Sequence, residues 1–184
     1  MSAKLEKYLK KVIKRIDLSE IVDIIIFGSA VKGKEFPEDI DLCIIFRKKE
    51  NIEVANDISN KLKNLNVHIS TLTIDNFFKK PHSLAKTIFL EGKSIFTGKS
   101  VIGNLGFSSA TLYSYNLSKL EQSEKVRFVY LLKGRKDEMG IVKRFKGEWL
   151  ADSCFMIPVE KDDEMLQIFK KWKVPFTKKE VFIH

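Results

Sequence analysis

A buried strand that ends in Gly-Ser, followed after a loop by Asp-Ile-Asp at the start of a second apolar strand, restricts what this chain can fold into. The run Ile21–Phe27 is almost entirely apolar and rich in β-branched residues, which indicates a strand buried in a sheet. It stops at Gly28, and a loop containing Gly33 and Pro37 leads to a second apolar run at about Ile40–Phe46. The pattern predicts a glycine-serine turn close to two carboxylates.

The turn after the first strand suits a phosphate group. Gly28 has no side chain, so a phosphate can approach the backbone closely. Ser29 opens the next helical turn, where free N–H groups favour anions, and its hydroxyl can donate to a phosphate oxygen. Lys32 or Lys34 could add positive charge.

The start of the second strand suits a divalent cation. Asp39 and Asp41 are two residues apart, and strand geometry places such residues on the same face. Two carboxylates at this spacing suit Mg²⁺, which typically binds one or two carboxylates together with substrate phosphates. The simpler alternative is a pair of solvated acidic residues at the end of a strand.

Together these residues resemble the signature of the DNA polymerase beta nucleotidyltransferase superfamily, especially its minimal members from archaea and bacteria. That signature is an apolar residue, Gly-Ser, and then Asp-x-Asp opening the next strand, which Gly28, Ser29, Asp39 and Asp41 match. The run Leu90–Phe96 looks like the Glu-Gly-x-x-apolar ending of the minimal members. The resemblance covers about residues 1–98 and implies an α+β fold, a mixed sheet with helices.

The resemblance also implies an activity. A nucleoside monophosphate would pass from an NTP, with ATP the expected nucleotide, to a hydroxyl group of a protein or RNA acceptor. Gly28 and Ser29, assisted by Lys32, would hold the phosphates. Asp39 and Asp41 would be catalytic and would bind the metal cofactor, Mg²⁺ or Mn²⁺.

The third strand, predicted at Val67–Ile74, departs from the family pattern. Active members usually present a third carboxylate there, and this chain offers His68, or Ser70 after a two-residue shift. A neutral His68 could accept a proton or contact a metal, which makes it an accessory catalytic candidate. The alternative is a strand histidine that faces a polar surface. Two further departures are Lys32 in place of an arginine and Glu38 in place of a small hydroxyl residue.

The second half of the chain forms a different predicted unit. A stretch rich in Gly, Ser and Asn at 98–106 predicts a boundary, giving a nucleotidyltransferase domain at 1–98 and a small α+β module of unassigned family at 106–184. In the module we predict a helix that starts at Ser118, with Ser123 as a rival N-cap, and runs to Gly134. A strand at about 154–159, a helix at 161–172 and a final strand at 174–183 follow.

Charge and composition leave the partner open. The chain carries 33 basic and 24 acidic side chains, a net charge of +9, which favours polyanionic partners but also fits a lysine-rich solvated surface. No apolar run is long enough for a membrane helix, and we expect a cytoplasmic protein without a membrane partner. Cys43 and Cys154 lie in apolar runs and are expected to be buried free thiols.

Two alternatives to an active enzyme follow from these features. The missing third carboxylate favours a degenerate member that acts as an antitoxin-like or regulatory binding partner, because minimal nucleotidyltransferases often pair with a small helical HEPN toxin. The basic surface favours a nucleic-acid-binding protein. Aromatic residues of the second half could stack on bases, but their apolar neighbours favour core positions for Tyr113, Tyr115, Phe128 and Tyr130.

Overall fold

The computed structural model of the chain describes residues 3–14, 16–32, 38–79, 83–136 and 138–184. The chain divides into two compact units, Met1–Gly106 and Phe107–His184. The predicted boundary at 98–106 ends where this division falls, and the independence of the two units as domains stays a prediction. The loop residues Gly33, Lys34 and Pro37 lie outside the described residues.

The first unit is built on a four-stranded mixed sheet. Its strands are β1 (Ile21–Phe27), β2 (Ile40–Phe46), β3 (Val67–Thr73) and β4 (Lys93–Ser94), in the order β3-β2-β1-β4. β1 runs antiparallel to β2 and β4, and β2 runs parallel to β3. The predicted α+β fold is therefore confirmed, and β1 and β2 have the predicted bounds.

Four helices cover the two faces of this sheet, because its central strands are apolar on both sides. These helices are α1 (Ala3–Ile13), α2 (Ile52–Lys61), α3 (Ile74–Lys79) and α4 (Ser83–Glu91). Leu42, Ile44 and Phe46 of β2 pack in one buried cluster with residues of α1 and α2. Cys43 and Ile45 point the other way, into a second cluster with residues of α3 and α4. Asp41 shares the orientation of Cys43 and Ile45.

The second unit has its own sheet and core. It contains, in chain order, β5 (Ser108–Tyr115), α5 (Gln122–Lys133), β6 (Gly134–Arg135), β7 (Glu138–Met139), α6 (Ile141–Arg144), β8 (Glu148–Ala151), β9 (Cys154–Pro158), α7 (Asp162–Trp172) and β10 (Phe176–Ile183). The sheet order is β10-β5-β9-β8, with every neighbouring pair antiparallel. Apart from the β6–β7 hairpin and the short α6, this is the β-α-β-β-α-β arrangement known as the split βαβ fold.

Aromatic side chains fill the core of the second unit. Tyr113, Phe155 and Phe169 are fully buried and stacked, with ring centroids 5.3 to 6.4 Å apart. Tyr115 and Phe128 are buried in the same cluster, so the core interpretation is confirmed for them and for Tyr113. Tyr113, Tyr115 and Phe128 are inaccessible, so their rings cannot stack on bases. Tyr130 differs, with 44% of its surface exposed, so the core prediction was wrong for this residue.

In the second unit, one strand was not predicted and the predicted start of one helix needs correction. The sequence pattern did not predict β5, whose alternation places Tyr113 and Tyr115 inward from a segment rich in Ser. Helix α5 does not start at Ser118 or Ser123. Its N-cap is Glu121, which forms a capping box with Glu124 and so satisfies backbone N–H groups at the helix start.

Both cysteines are free, as predicted. Cys43 is fully buried, and Cys154 is partly buried. Burial, and then the nearby charge of Glu50, raises the pKa of the Cys43 thiol to about 12, so this thiol stays protonated at neutral pH. Among the described helices, none combines the length and the apolar character needed to cross a membrane.

Candidate active site

The backbone turn after β1 is tight and requires glycine. Gly28 has φ +71°, a conformation that side-chain-bearing residues rarely adopt. A 3₁₀ turn spans Gly28–Ala30, and the N–H of Val31 donates to the carbonyl oxygen of Gly28 at 3.2 Å. The side chain of Ala30 is buried in the core of the first unit and anchors the turn.

The turn is packed against the two predicted carboxylates. In the antiparallel pair of β1 and β2, Phe27 lies opposite Asp41, so Gly28 follows directly beside that carboxylate. A Cβ atom built on Gly28 would lie 2.6 Å from Oδ2 of Asp41. The hydroxyl of Ser29 is 3.2 Å from Oδ1 of Asp39 and donates to it. The turn and the Asp-x-Asp segment are therefore one structural unit.

The parallel pairing of β2 and β3 decides which residue of the third strand reaches this unit. Asp41 lies opposite His68, and Nδ1 of His68 is 3.6 Å from Oδ1 of Asp41. Ser70 lies opposite Cys43, further along the strand. Of the two residues that the sequence offered for the third position, His68 is therefore the one beside the carboxylates. Its side chain is 64% exposed, which leaves the ring free to turn.

These three side chains form a cluster with the chemistry of a metal site. One ligand atom from each of Asp39, Asp41 and His68 can be chosen so that all lie within 4.8 Å of one another. Ligand atoms around a cation with bonds of about 2.1 Å lie roughly 3 to 4 Å apart, so a small side-chain rotation would close the cluster on an ion. Two carboxylates and an imidazole fit the divalent metal that the family resemblance implies.

Two hydrogen bonds hold the starts of β2 and β3 together. The N–H of Ile40 donates to the carbonyl oxygen of Asn66 at 2.8 Å, and the amide Nδ2 of Asn66 donates to the carbonyl oxygen of Glu38 at 3.2 Å. Asn66 therefore fixes the segment that carries Asp39 and Asp41 to the segment that carries His68. The sequence analysis missed Asn66, and its place just before a predicted strand was the only available signal.

Lys32, the third predicted phosphate-binding residue, is paired within the protein. Its Nζ is 3.2 Å from Oε2 of Glu91, the last residue of α4. Both side chains are largely buried, with 28% and 13% of their surfaces exposed. Glu91 entered the sequence analysis only as part of the Glu-Gly motif, and its partner could not be inferred from spacing.

Comparison with known proteins assigns the class. The family described as polymerase beta, nucleotidyltransferase matches residues 4–100, more than half of the 184 residues. The chain therefore belongs to the polymerase beta nucleotidyltransferase family, and its first unit carries the fold of that family. The family resemblance stated from the sequence is therefore confirmed.

More distant similarity exists among solved structures. One is a crystal structure of a mutant MntA–HpeT toxin–antitoxin complex, with 14% identity, a TM-score of 0.38, and coverage of 54% of this chain and 78% of that one. Another is a Shewanella oneidensis tri-AMPylated HEPN toxin in complex with the MNT antitoxin, with 17% identity, a TM-score of 0.35 and the same coverage. No curated protein sequence matches the chain.

Proposed function

We propose that the protein is a metal-dependent nucleotidyltransferase, which moves a nucleoside monophosphate from an NTP to a hydroxyl group of a protein or RNA acceptor and releases pyrophosphate. One observation carries this proposal: Asp39, Asp41 and His68 converge directly beside the turn of Gly28 and Ser29. Separately, each feature is common among proteins. Together they supply a metal-binding set next to a backbone that a phosphate group can approach.

Each residue has a distinct proposed role. Asp39 and Asp41 would hold Mg²⁺ or Mn²⁺, an ion that neutralises the charge of the triphosphate when it is bound. Gly28 would allow the phosphates to approach the backbone, since even a methyl group there would occupy the space beside Asp41. The hydroxyl of Ser29 would exchange its bond to Asp39 for one to a phosphate oxygen.

His68 would serve the acceptor side of the reaction. A neutral imidazole next to Asp41 can serve an attacking hydroxyl group in one of two exclusive ways, by taking its proton or by ligating the metal beside it, at the position where other members present a carboxylate. ATP is the nucleotide we would test first, with the other three NTPs beside it. Lys32 would contribute to nucleotide binding only after its pairing with Glu91 loosens.

Label transfer tests the proposal. The full-length protein would be incubated with each α-³²P-labelled NTP, Mg²⁺ or Mn²⁺, and total RNA or cell extract as acceptor. We expect label on one acceptor class, and its loss in an Asp39→Asn/Asp41→Asn variant. A matched control is Asp75→Asn, which removes an exposed carboxylate that pairs with Lys79 and should transfer normally.

Two results would contradict the proposal. One is equal labelling by wild type and the Asp39→Asn/Asp41→Asn variant, provided that both have the same circular dichroism spectrum. The other is the absence of transfer with every nucleotide and metal. The second result would favour the regulatory alternative, in which the chain binds a small helical HEPN-like protein, and recovery of such a protein on affinity purification would support that alternative.

A second candidate function, nucleic-acid binding, is favoured by the outer face of α1. Four lysines at helical spacing, three in α1 and one directly after it, line an open surface depression of about 590 Å³ together with Ala3 and Glu6: Lys7, Lys10, Lys11 and Lys14. The apolar face of the helix, including Leu9 and Ile13, is buried in the core and is unavailable for insertion into a lipid surface. Lys10 is paired with Glu6, so the exposed lysines that suit a phosphate backbone are Lys7, Lys11 and Lys14.

Salt dependence tests this candidate. Binding of fluorescein-labelled single-stranded RNA would be measured at about 50 and 200 mM salt, where several phosphate contacts cost orders of magnitude in affinity. We expect a Lys7→Gln/Lys11→Gln/Lys14→Gln variant to bind more weakly and with a shallower salt slope. A Lys170→Gln/Lys171→Gln/Lys173→Gln variant, with three lysines removed from the end of α7, is the charge-matched control. Equal effects of the two variants would exclude a specific role for α1.

A further inference from the structure

We propose that His68 is a metal ligand and that it makes this site select a transition-type divalent cation, of which Mn²⁺ is the representative, over Mg²⁺. The inference rests on the metal site proposed above, and it specifies the ion that the site takes. It does not depend on which acceptor is modified or on whether the chain turns over.

The position of His68 is imposed by the sheet. It lies opposite Asp41 in a parallel pair whose register is continuous from Ile40–Val67 to Phe46–Thr73, so a slip that removes the ring from the cluster would disrupt every pair. The Nδ1 atom is already 3.6 Å from Oδ1 of Asp41 without an ion between them. A cation that binds Asp41 therefore has an imidazole nitrogen close by as a further protein ligand.

The rest of the cluster offers no substitute for that nitrogen. Within the described part of the chain, no other carboxylate, imidazole or thiolate joins Asp39, Asp41 and His68 in a group close enough to hold one ion. Glu91, the other largely buried acid mentioned above, is occupied by Lys32. Among the described residues, the donor set is therefore two carboxylates and one nitrogen.

This donor set changes which ion is preferred. Mg²⁺ prefers oxygen ligands in near-ideal octahedral geometry, gives up its waters reluctantly and gains little from an imidazole. Imidazole nitrogen is a softer donor than a carboxylate oxygen and suits first-row transition metals. Along that series the affinity of a nitrogen and oxygen site is lowest for Mn²⁺, so a preference for Mn²⁺ over Mg²⁺ is the minimal expectation for the whole series. A carboxylate at position 68 would give an all-oxygen set that suits Mg²⁺. The histidine shifts the preference toward Mn²⁺.

Direct metal binding tests the inference without any reference to transfer. The signal of free Mn²⁺ in electron paramagnetic resonance would be titrated against the full-length protein, and Mg²⁺ would then be added as a competitor. We expect wild type to bind Mn²⁺ at least about tenfold more tightly than Mg²⁺, and a His68→Gln variant to lose about tenfold in Mn²⁺ affinity. A His68→Asp variant should keep metal binding and lower the ratio of Mn²⁺ to Mg²⁺ affinity by about tenfold.

The controls separate this inference from the proposed function. A His184→Gln variant removes a histidine of the second unit and should bind Mn²⁺ as wild type does. If Asp41→Asn abolishes Mn²⁺ binding while His68→Gln leaves it unchanged, the metal site stands and the role of His68 is wrong. If Asp41→Asn also leaves Mn²⁺ binding unchanged, the metal site itself is wrong and the proposed function falls with it.

Discussion

A methyl group on Gly28 would come within 2.6 Å of Oδ2 of Asp41, a separation that non-bonded atoms do not tolerate. The antiparallel register of β1 and β2 creates this proximity by setting Phe27 opposite Asp41. The glycine of the Gly-Ser pair therefore has two functions. It adopts a positive φ that the turn needs, and it leaves room for a carboxylate of the neighbouring strand.

A Gly28→Ala variant separates these two functions when it is compared with Gly106→Ala. Both glycines have positive φ, +71° and +83°, so both substitutions introduce backbone strain of about 1 to 2 kcal/mol. A Cβ on Gly106 meets no atom within 4 Å, whereas one on Gly28 collides with Asp41. We expect both variants to lose some stability in chemical denaturation, but only Gly28→Ala to lose Mn²⁺ binding and nucleotide transfer. Similar losses of metal binding in both variants would contradict this.

The pairing of Lys32 with Glu91 predicts opposite effects on nucleotide affinity. Lys32→Met should weaken binding of a fluorescent ATP analogue by about threefold to tenfold, as expected for one charge contact of about 1 kcal/mol. Glu91→Gln removes the competing carboxylate and should strengthen that binding. Lys93, which pairs with Glu6 at 3.1 Å, provides the control substitution Lys93→Met, for which we expect unchanged affinity. Equal weakening by both lysine variants would assign the effect to overall charge.

Replacing the half-buried Asp23 with a residue that cannot ionise should stabilise the protein in a pH-dependent way. Burial raises the pKa of its carboxyl group, although hydrogen bonds from the Ser94 hydroxyl and the Ile24 N–H act in the opposite direction. The folded protein therefore keeps this proton to a higher pH than the unfolded chain does, and stability falls as pH rises from the unfolded pKa through the folded one. An Asp23→Asn variant cannot ionise, and its amide oxygen can accept the same two hydrogen bonds.

We therefore expect Asp23→Asn to unfold with a larger free energy than wild type at pH 7, with the gain shrinking as the pH falls toward 4. Hydrogen exchange of the β1 amides would report this, because both tryptophans lie outside the first unit. Asp57→Asn, which breaks an exposed pair with Lys61, should change stability by less than about 1 kcal/mol at either pH. A loss of stability at pH 7 in Asp23→Asn would refute the argument.

The core of the second unit depends on a buried hydroxyl group. Tyr113 is fully buried and donates to Oδ1 of Asp162 at 2.5 Å, while Lys178 donates to Oδ2 of the same carboxylate at 2.6 Å. Tyr113→Phe leaves one carboxylate oxygen unsatisfied, so we expect a cost of about 1 to 3 kcal/mol. The exposed Tyr130 gives the control Tyr130→Phe, which should cost almost nothing.

Tryptophan fluorescence is the appropriate measurement for Tyr113→Phe. The chain has two tryptophans, Trp149 and Trp172, and both pack against the core of the second unit. Denaturation followed by their emission therefore reports the second unit selectively. A midpoint equal to that of wild type would show that the hydroxyl of Tyr113 contributes nothing to the core.

Local patterns in the sequence were sufficient for much of the first unit. The apolar runs predicted β1 and β2 with their observed bounds, because a strand buried on both faces needs continuous apolar residues. The Gly-Ser pair and Asp-x-Asp could also be recognised, since a missing side chain and two carboxylates on one strand face are properties of neighbouring residues. The secondary structure of the second unit was harder to predict from the sequence. Strand β5 lies in a Ser-rich segment that does not look like a strand. Its inward aromatic residues can be recognised as core residues only from the rings that stack on them in the folded unit.

The sequence by itself determined which residue types stand at the site, and only the tertiary structure decided which of them meet. The sequence suggested His68, or Ser70 after a two-residue shift, and strand pairing, which no local pattern encodes, places His68 opposite Asp41. The pairing of Lys32 with Glu91 likewise joins residues distant in sequence. Backbone conformation and the alternation of side chains along a strand are set by neighbouring residues. The register between strands and the pairing of charged side chains depend on how distant segments pack.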